Sequence, residues 1–214
     1  MMSALETNFG QTPSQTVGPY FAYGLTATQY GYDFDQPFDA ILALDGARGE
    51  RIRLEGRVID GDGNPINDAL IEISQPDGTG EYPQSVDDAR DRGFRAFGRV
   101  GTGTDAQNRF VFHTVKPGAD TAGEAPHINV IVLMRGMLLH AFTRVYFADE
   151  SEANAKDPVL NSVPAERRNT LVAQRSEAGG AVTYRLDITE EGYALGYQFD
   201  IVLRGADETP FENR

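Results

Sequence analysis

Cysteine is absent from the 214-residue chain. That excludes a disulfide framework and a thiolate metal site, leaving imidazole, carboxylate and phenolate as the strong ligand types. Histidine is scarce, with only His113, His127 and His140 available. No apolar run approaches the roughly 18 residues that a spanning helix needs, so no membrane partner is expected. The opening MMSALETNFG lacks the basic and apolar regions of a secretory signal, and a cytoplasmic location is the default expectation. Positive charge is also short. With 19 Lys and Arg against 32 Asp and Glu, the net charge of −13 opposes a phosphate backbone, and nucleic acid is not an expected partner. Binding of a small anion would depend on a local cation, for which Arg135 is a candidate.

What is present reads as β structure. Residues 1–50 are rich in Gly, Thr, Gln, Tyr and Pro without sustained periodicity, and their apolar content argues for an extended arm that packs on something. From Arg51 the pattern alternates. RIRLEGRVID, the turn-rich GDGNPIND and ALIEISQ predict a β-hairpin. Further strands are predicted at RFVFHTV (109–115), HINVIVLMR (127–135), LLHAFTRVYF (138–147), VTYRLDI (182–188) and YQFDIVLR (197–204), all rich in β-branched and aromatic residues. Helical signal is confined to ESEANAKD and PAERRNTLVAQR, the latter with Pro164 placed for a first turn. Many strands and few helices predict an all-β sandwich over residues 51–214, with the N-terminal arm and short peripheral helices around it.

The stretch APHINVIVLMRG places His127 and Asn129 two positions apart on a strand, where both side chains face the same way. Two ligands of one metal would sit like this, but an asparagine amide is a far weaker ligand than imidazole or phenolate for a redox metal. A lone strand histidine is more often structural than ligating. Tyr82, in DGTGEYPQ, is either a phenolate ligand or a packing ring. On an unbroken strand Arg135 would lie roughly 26 Å from His127, too far to share a small ligand, and its bland role is a salt bridge. In TPSQTVGPY, Pro13, Gly18 and Pro19 enforce an extended or turned path that presents backbone groups rigidly.

Taken together, TPSQTVGPY, RIRLEGRVIDGDGNPINDALIEI, FHTVKPG, APHIN, the RG after VLM, HAFTRVYFADESEANAKDPVLN, RRNTLVAQR and DETPF resemble the intradiol ring-cleavage dioxygenases over most of the chain after residue 11. In iron-binding chains of that family, ferric iron is held by two tyrosines and an H-x-H pair. The resemblance puts Tyr82 on the first tyrosine position, Asp120 on the second, His127 on the first histidine and Asn129 on the second. Asp120 and Asn129 are not the family's ligands. The resemblance therefore implies no Fe(III) in this chain, which would work beside a homologous beta chain that carries the iron, in a higher oligomer of alpha-beta units.

In such pairs the iron-free chain lines the pocket through its TPSQTxGPY segment and xRG arginine, here Thr16, Gly18, Pro19, Tyr20 and Arg135. The implied reaction is insertion of O2 into protocatechuate, an aromatic acid, giving 3-carboxy-cis,cis-muconate in aromatic-compound catabolism. Two alternatives stand beside this reading. The hairpin sequence also suits a non-enzymatic transthyretin-like binding module, which has no reason to contain TPSQTVGPY, APHIN and TRVYF. A self-sufficient dioxygenase with altered ligands is the other. The serine in EISQ and the stretch EEGYALGYQFDI depart from the family pattern.

Overall fold

The computed structural model describes residues 12–121, 123–178 and 181–189. The predicted strand YQFDIVLR, the stretch EEGYALGYQFDI and DETPF fall outside the described residues. The described residues form eight strands: β1 (Arg51–Arg57), β2 (Leu70–Ser74), β3 (Phe97–Gly101), β4 (Arg109–Val115), β5 (His127–Leu133), β6 (Ala141–Phe147), β7 (Val172–Ala178) and β8 (Ala181–Arg185). Their spatial order is β3-β2-β5-β6-β7-β8-β1-β4. The β6–β7 link is short and parallel, with only Tyr146 facing Val172 and Phe147 facing Ala173. It joins two four-stranded halves.

Alternation along the strands turns one face of each half inward. Leu54 of β1, Phe110 and Phe112 of β4 and Tyr184 of β8 meet Ile71 and Ile73 of β2, Ile128, Val130 and Val132 of β5, and Val145 and Phe147 of β6 in one buried cluster. Each such side chain contributes about 1.5–3 kcal/mol of burial. This is the expected all-β sandwich. No helix among the described residues is long and apolar enough to cross a membrane.

Three local expectations are corrected. β1 and β2 do not pair as a hairpin: β1 pairs with β4 and β8, and β2 with β3 and β5. Asp60 closes the GDGNPIND turn by accepting from the Asp62 and Asn64 backbone N–H groups. The local ladder stops at the Ile59 and Pro65 bridge, and the chain then crosses to the other half of the sandwich. PAERRNTLVAQR is not one helix. Ala165–Leu171 is a 3-10 turn and Val172 already begins β7, because pairing with β6 outweighs local helical preference. Helix also occurs beyond the two expected segments, at α1 (Phe21–Leu25) and α2 (Val86–Arg92). The second carries recognisable signals in Ser85, whose side chain accepts from the Asp88 N–H, and in Gly93 in the left-handed region.

Part of the N-terminal segment belongs to the same core. Leu42 is fully buried, its N–H donates to the His113 carbonyl at 2.9 Å, and its own carbonyl accepts from Arg95 at 2.8 Å. Gln29 bonds both the N–H and the carbonyl of Gly101. Residues 12–20 stay exposed on the surface, apart from half-buried Val17.

A second, smaller core covers the outer side of the β5 start. It contains Ala125, Tyr146, Leu160, Val163 and Leu171. Asp157, fully buried, caps α3 (Pro158–Ser162) by accepting from Leu160 N–H at 2.6 Å and also accepts from Ala125 N–H at 2.7 Å and the Tyr146 hydroxyl at 3.2 Å. One carboxylate thus ties the helix to the strand entry that carries His127. Replacing Asp157 with Ala leaves three donors without a partner, and the expected loss is about 2–4 kcal/mol in urea unfolding. A change below about 0.5 kcal/mol, the range of an indifferent surface substitution, would show that the tie is not structural.

Candidate functional site

The family-ligand positions converge, and loop interlocking explains how. The Tyr82 loop is built on Asp77, whose buried carboxylate accepts from Thr79 N–H and hydroxyl and pairs with Arg48 at 2.8 Å. Burial alone would raise the Asp77 pKa, but these bonds and the Arg48 charge hold it below its ordinary value. The Gly118 N–H donates to the Asp77 carbonyl at 2.9 Å, locking the 116–120 loop against the Tyr82 loop. Gly80, at φ +82°, allows the closest approach: a Cβ there would lie 2.1 Å from the Ala119 carbonyl oxygen.

Asp120 is thereby brought to Tyr82. The Asp120 carboxylate bears on the Tyr82 phenol and raises its pKa, while the Asn129 amide acts on it in the opposite direction. Burial first, and the Asp120 charge second, push the Tyr82 phenol up to about 12. His127 is buried, at 3% exposure. Its Nδ1 bonds the Ala125 carbonyl at 2.9 Å, which fixes the proton on Nδ1 in the neutral ring and turns Nε2 toward Glu124, 3.9 Å away. One ligand-type atom from each of Asp120, Glu124 and His127 falls within 4.8 Å of the others.

Sequence reasoning missed Glu124 and Arg144. The β5–β6 register sets His127 opposite Tyr146 and Asn129 opposite Arg144. The Arg144 guanidinium donates to Glu124 at 3.0 Å and to the Tyr146 hydroxyl at 3.4 Å, and its charge is felt at Tyr82. Burial alone would lower its pKa, but the Tyr146 and Glu124 partners keep it raised. Counting the antiparallel register back from the turn between β5 and β6 is the signal that could have placed Arg144 in TRVYF beside Asn129.

This donor set does not match the needs of a ferric ion, which calls for phenolates and imidazoles. The position expected for the second tyrosine is Asp120, Asn129 offers only a neutral amide, and a guanidinium already supplies positive charge.

The positions expected to line a substrate pocket lie at the other end of β5. The strand stops at Leu133, and Arg135 sits in a turn with Gly136 at φ +91°, not on an unbroken strand as the spacing argument supposed. The Gly136 N–H donates to the Thr16 hydroxyl at 2.8 Å, which draws the TPSQTVGPY segment to the arginine. Gly18 accepts from Phe21 N–H at 3.2 Å, leading through Pro19 and Tyr20 into α1. Tyr20 is 79% exposed. Arg135 pairs through Nε with Asp68. Beside this junction is a cleft of about 160 Å³ lined by Gln15, Val17, Met134, Met137 and Leu138 among others.

A family model described as a dioxygenase matches residues 17–205. The chain is 57% identical over 205 residues to the alpha chain of protocatechuate 3,4-dioxygenase from Burkholderia cepacia, covering 96% of this chain and 98% of that one. It is 36% identical over 200 residues to the beta chain of the same enzyme from that organism, covering 87% of this chain and 80% of the other. Among solved structures, a dioxygenase domain from Streptomyces sp. SirexAA-E matches with a TM-score of 0.53 at 23% identity, covering 84% of this chain and 97% of that one. An intradiol ring-cleavage dioxygenase from Tetranychus urticae matches with a TM-score of 0.54 at 16% identity, covering 85% and 94%. At those identities the structural likeness speaks for the fold, whereas the family model and the relatives of high identity speak for descent. The chain belongs to the intradiol ring-cleavage dioxygenase family.

Proposed function

We propose that this chain is the iron-free alpha subunit of a protocatechuate 3,4-dioxygenase, active with a homologous beta chain that holds the Fe(III). The pair inserts both atoms of O2 between the hydroxyl-bearing carbons of protocatechuate, forming 3-carboxy-cis,cis-muconate. The identity to named alpha chains supports this reading. So does the degraded donor set, in which Asp120 and Asn129 stand where a tyrosine and a histidine would be needed.

The observation that carries the division of labour is the bond from Gly136 N–H to the Thr16 hydroxyl. It gathers Thr16, Gly18, Pro19, Tyr20 and Arg135 at one exposed place, at the opposite end of β5 from the His127 cluster. An exposed half-pocket remote from the chain's own cluster makes sense as a wall of a site completed by a partner. The arm offers such a partner a run of exposed rings: Tyr20 touches Tyr23, Tyr23 touches Tyr32, and Tyr32 stacks on Phe34. Higher assemblies of alpha-beta units and a cytoplasmic setting complete the reading.

Arg135 is assigned to the substrate carboxylate. Asp68 already offsets its charge, so its contribution is a directional, charge-assisted bond more than long-range attraction. In the alpha-beta complex, Arg135→Leu should remove about 1.5–3 kcal/mol of that contact and lower kcat/KM for protocatechuate roughly 10- to 150-fold. Catechol, which lacks the carboxylate, should be turned over as before. Added salt should not reproduce the defect. An equal loss for both substrates, with iron content and assembly unchanged, would assign Arg135 to the interface instead, and no loss for either would remove it from the site.

A further inference from the structure

The cluster around His127 includes a cation, the Arg144 guanidinium. Arg144 enters it from β6 with 21% of its side chain exposed, and its partner Glu124 has 19% exposed. Its Nη1 lies 3.0 Å from Glu124 and 3.4 Å from the Tyr146 oxygen. Glu124 is in turn the carboxylate whose oxygen, with those of Asp120 and the His127 imidazole, falls inside the 4.8 Å grouping. On the other side, Arg144 stands opposite Asn129, which reaches the Tyr82 hydroxyl. A half-buried cluster with two carboxylates needs compensating positive charge. Arg144 is the cation in contact with it among the described residues.

We infer that the Arg144 guanidinium is the resident cation of this site and bars metal ions from it, so that loss of the family's iron is enforced by an added positive charge as well as by missing ligands. Two consequences follow from charge alone. A trivalent ion at the cluster would face a fixed like charge within a few ångströms, in surroundings less polar than water. It would also find Glu124 already committed to a charge-assisted bond. Restoring the two ligand side chains is then insufficient for iron binding.

The inference rests on the reading that iron belongs to the partner chain, and the test separates the two. The full-length chain is assembled with its four-ligand beta homologue, and ferric iron per pair and phenolate-to-iron charge-transfer absorption are measured. D120Y/N129H should take up no second ferric ion. D120Y/N129H/R144Q should bind one, with affinity higher by at least about a hundredfold and with added charge-transfer absorption. D120Y/N129H/R144K, which keeps the charge, should again bind none. A second ferric ion in D120Y/N129H, held as tightly as in the Gln variant, would overturn the inference, as would equal binding by the Lys and Gln variants. Two ferric ions in the unaltered pair would instead overturn the proposed function.

If the multiple variants do not fold, zinc calorimetry on single variants decides. R144Q should bind Zn(II) through Asp120, Glu124 and His127, while the unaltered pair and R144K should not. Zinc bound equally by the unaltered pair and R144Q, or by neither, would contradict the inference.

Discussion

Antiparallel pairing of β5 with β6 sets His127 against Tyr146 and Asn129 against Arg144, and the strand-borne part of the cluster follows from that register. A slip of one residue would turn His127 and Asn129 inward and drive Ile128 and Val130 out of the core, so the sandwich's burial pattern fixes the chemistry of its outer face. Tyr82 and Asp120 arrive on loops that bear on this strand pair, and Asp157 clamps the strand entry from behind. The same scaffold that would position four ligands positions, in this sequence, a network of hydrogen bonds and an ion pair.

On the proposed reading, that network keeps the frame of a metal site without its full ligand set. The His127 ring is still oriented by its Nδ1 bond to the Ala125 carbonyl, as a ligating histidine is oriented by its outer partner. The fold around it is intact. What differs is the donor chemistry at Asp120 and Asn129 and the charge at Arg144, which is paired with Glu124, one of the three groups that lie close together. Meanwhile the far end of β5 retains an ordered arrangement of arm, turn and arginine.

Much of this was legible in the sequence, and the failures share a cause. The strand RFVFHTV and the start of β5 at His127 were read correctly because strict alternation over a buried face is a local signal. Pairing is not local. The GDGNPIND turn looks like a hairpin, yet β1 and β2 end in different halves of the sandwich. In RRNTLVAQR the two residues that meet β6 decide the conformation against helical preference. The site divided likewise. Ligand positions came from motif order, whereas Glu124 and Arg144 become visible only once two strands and a loop are brought together. The Thr16 contact, spanning from arm to turn, has no local signature at all.

The central claim is that this chain completes a dioxygenase without holding its iron. The most direct test is to purify the chain alone and together with a four-ligand beta homologue, expose both to ferric iron, and compare bound iron with phenolate-to-iron absorption. The account predicts neither in the isolated chain, and both in the complex together with protocatechuate cleavage. Stoichiometric, coloured iron in the isolated chain would contradict it.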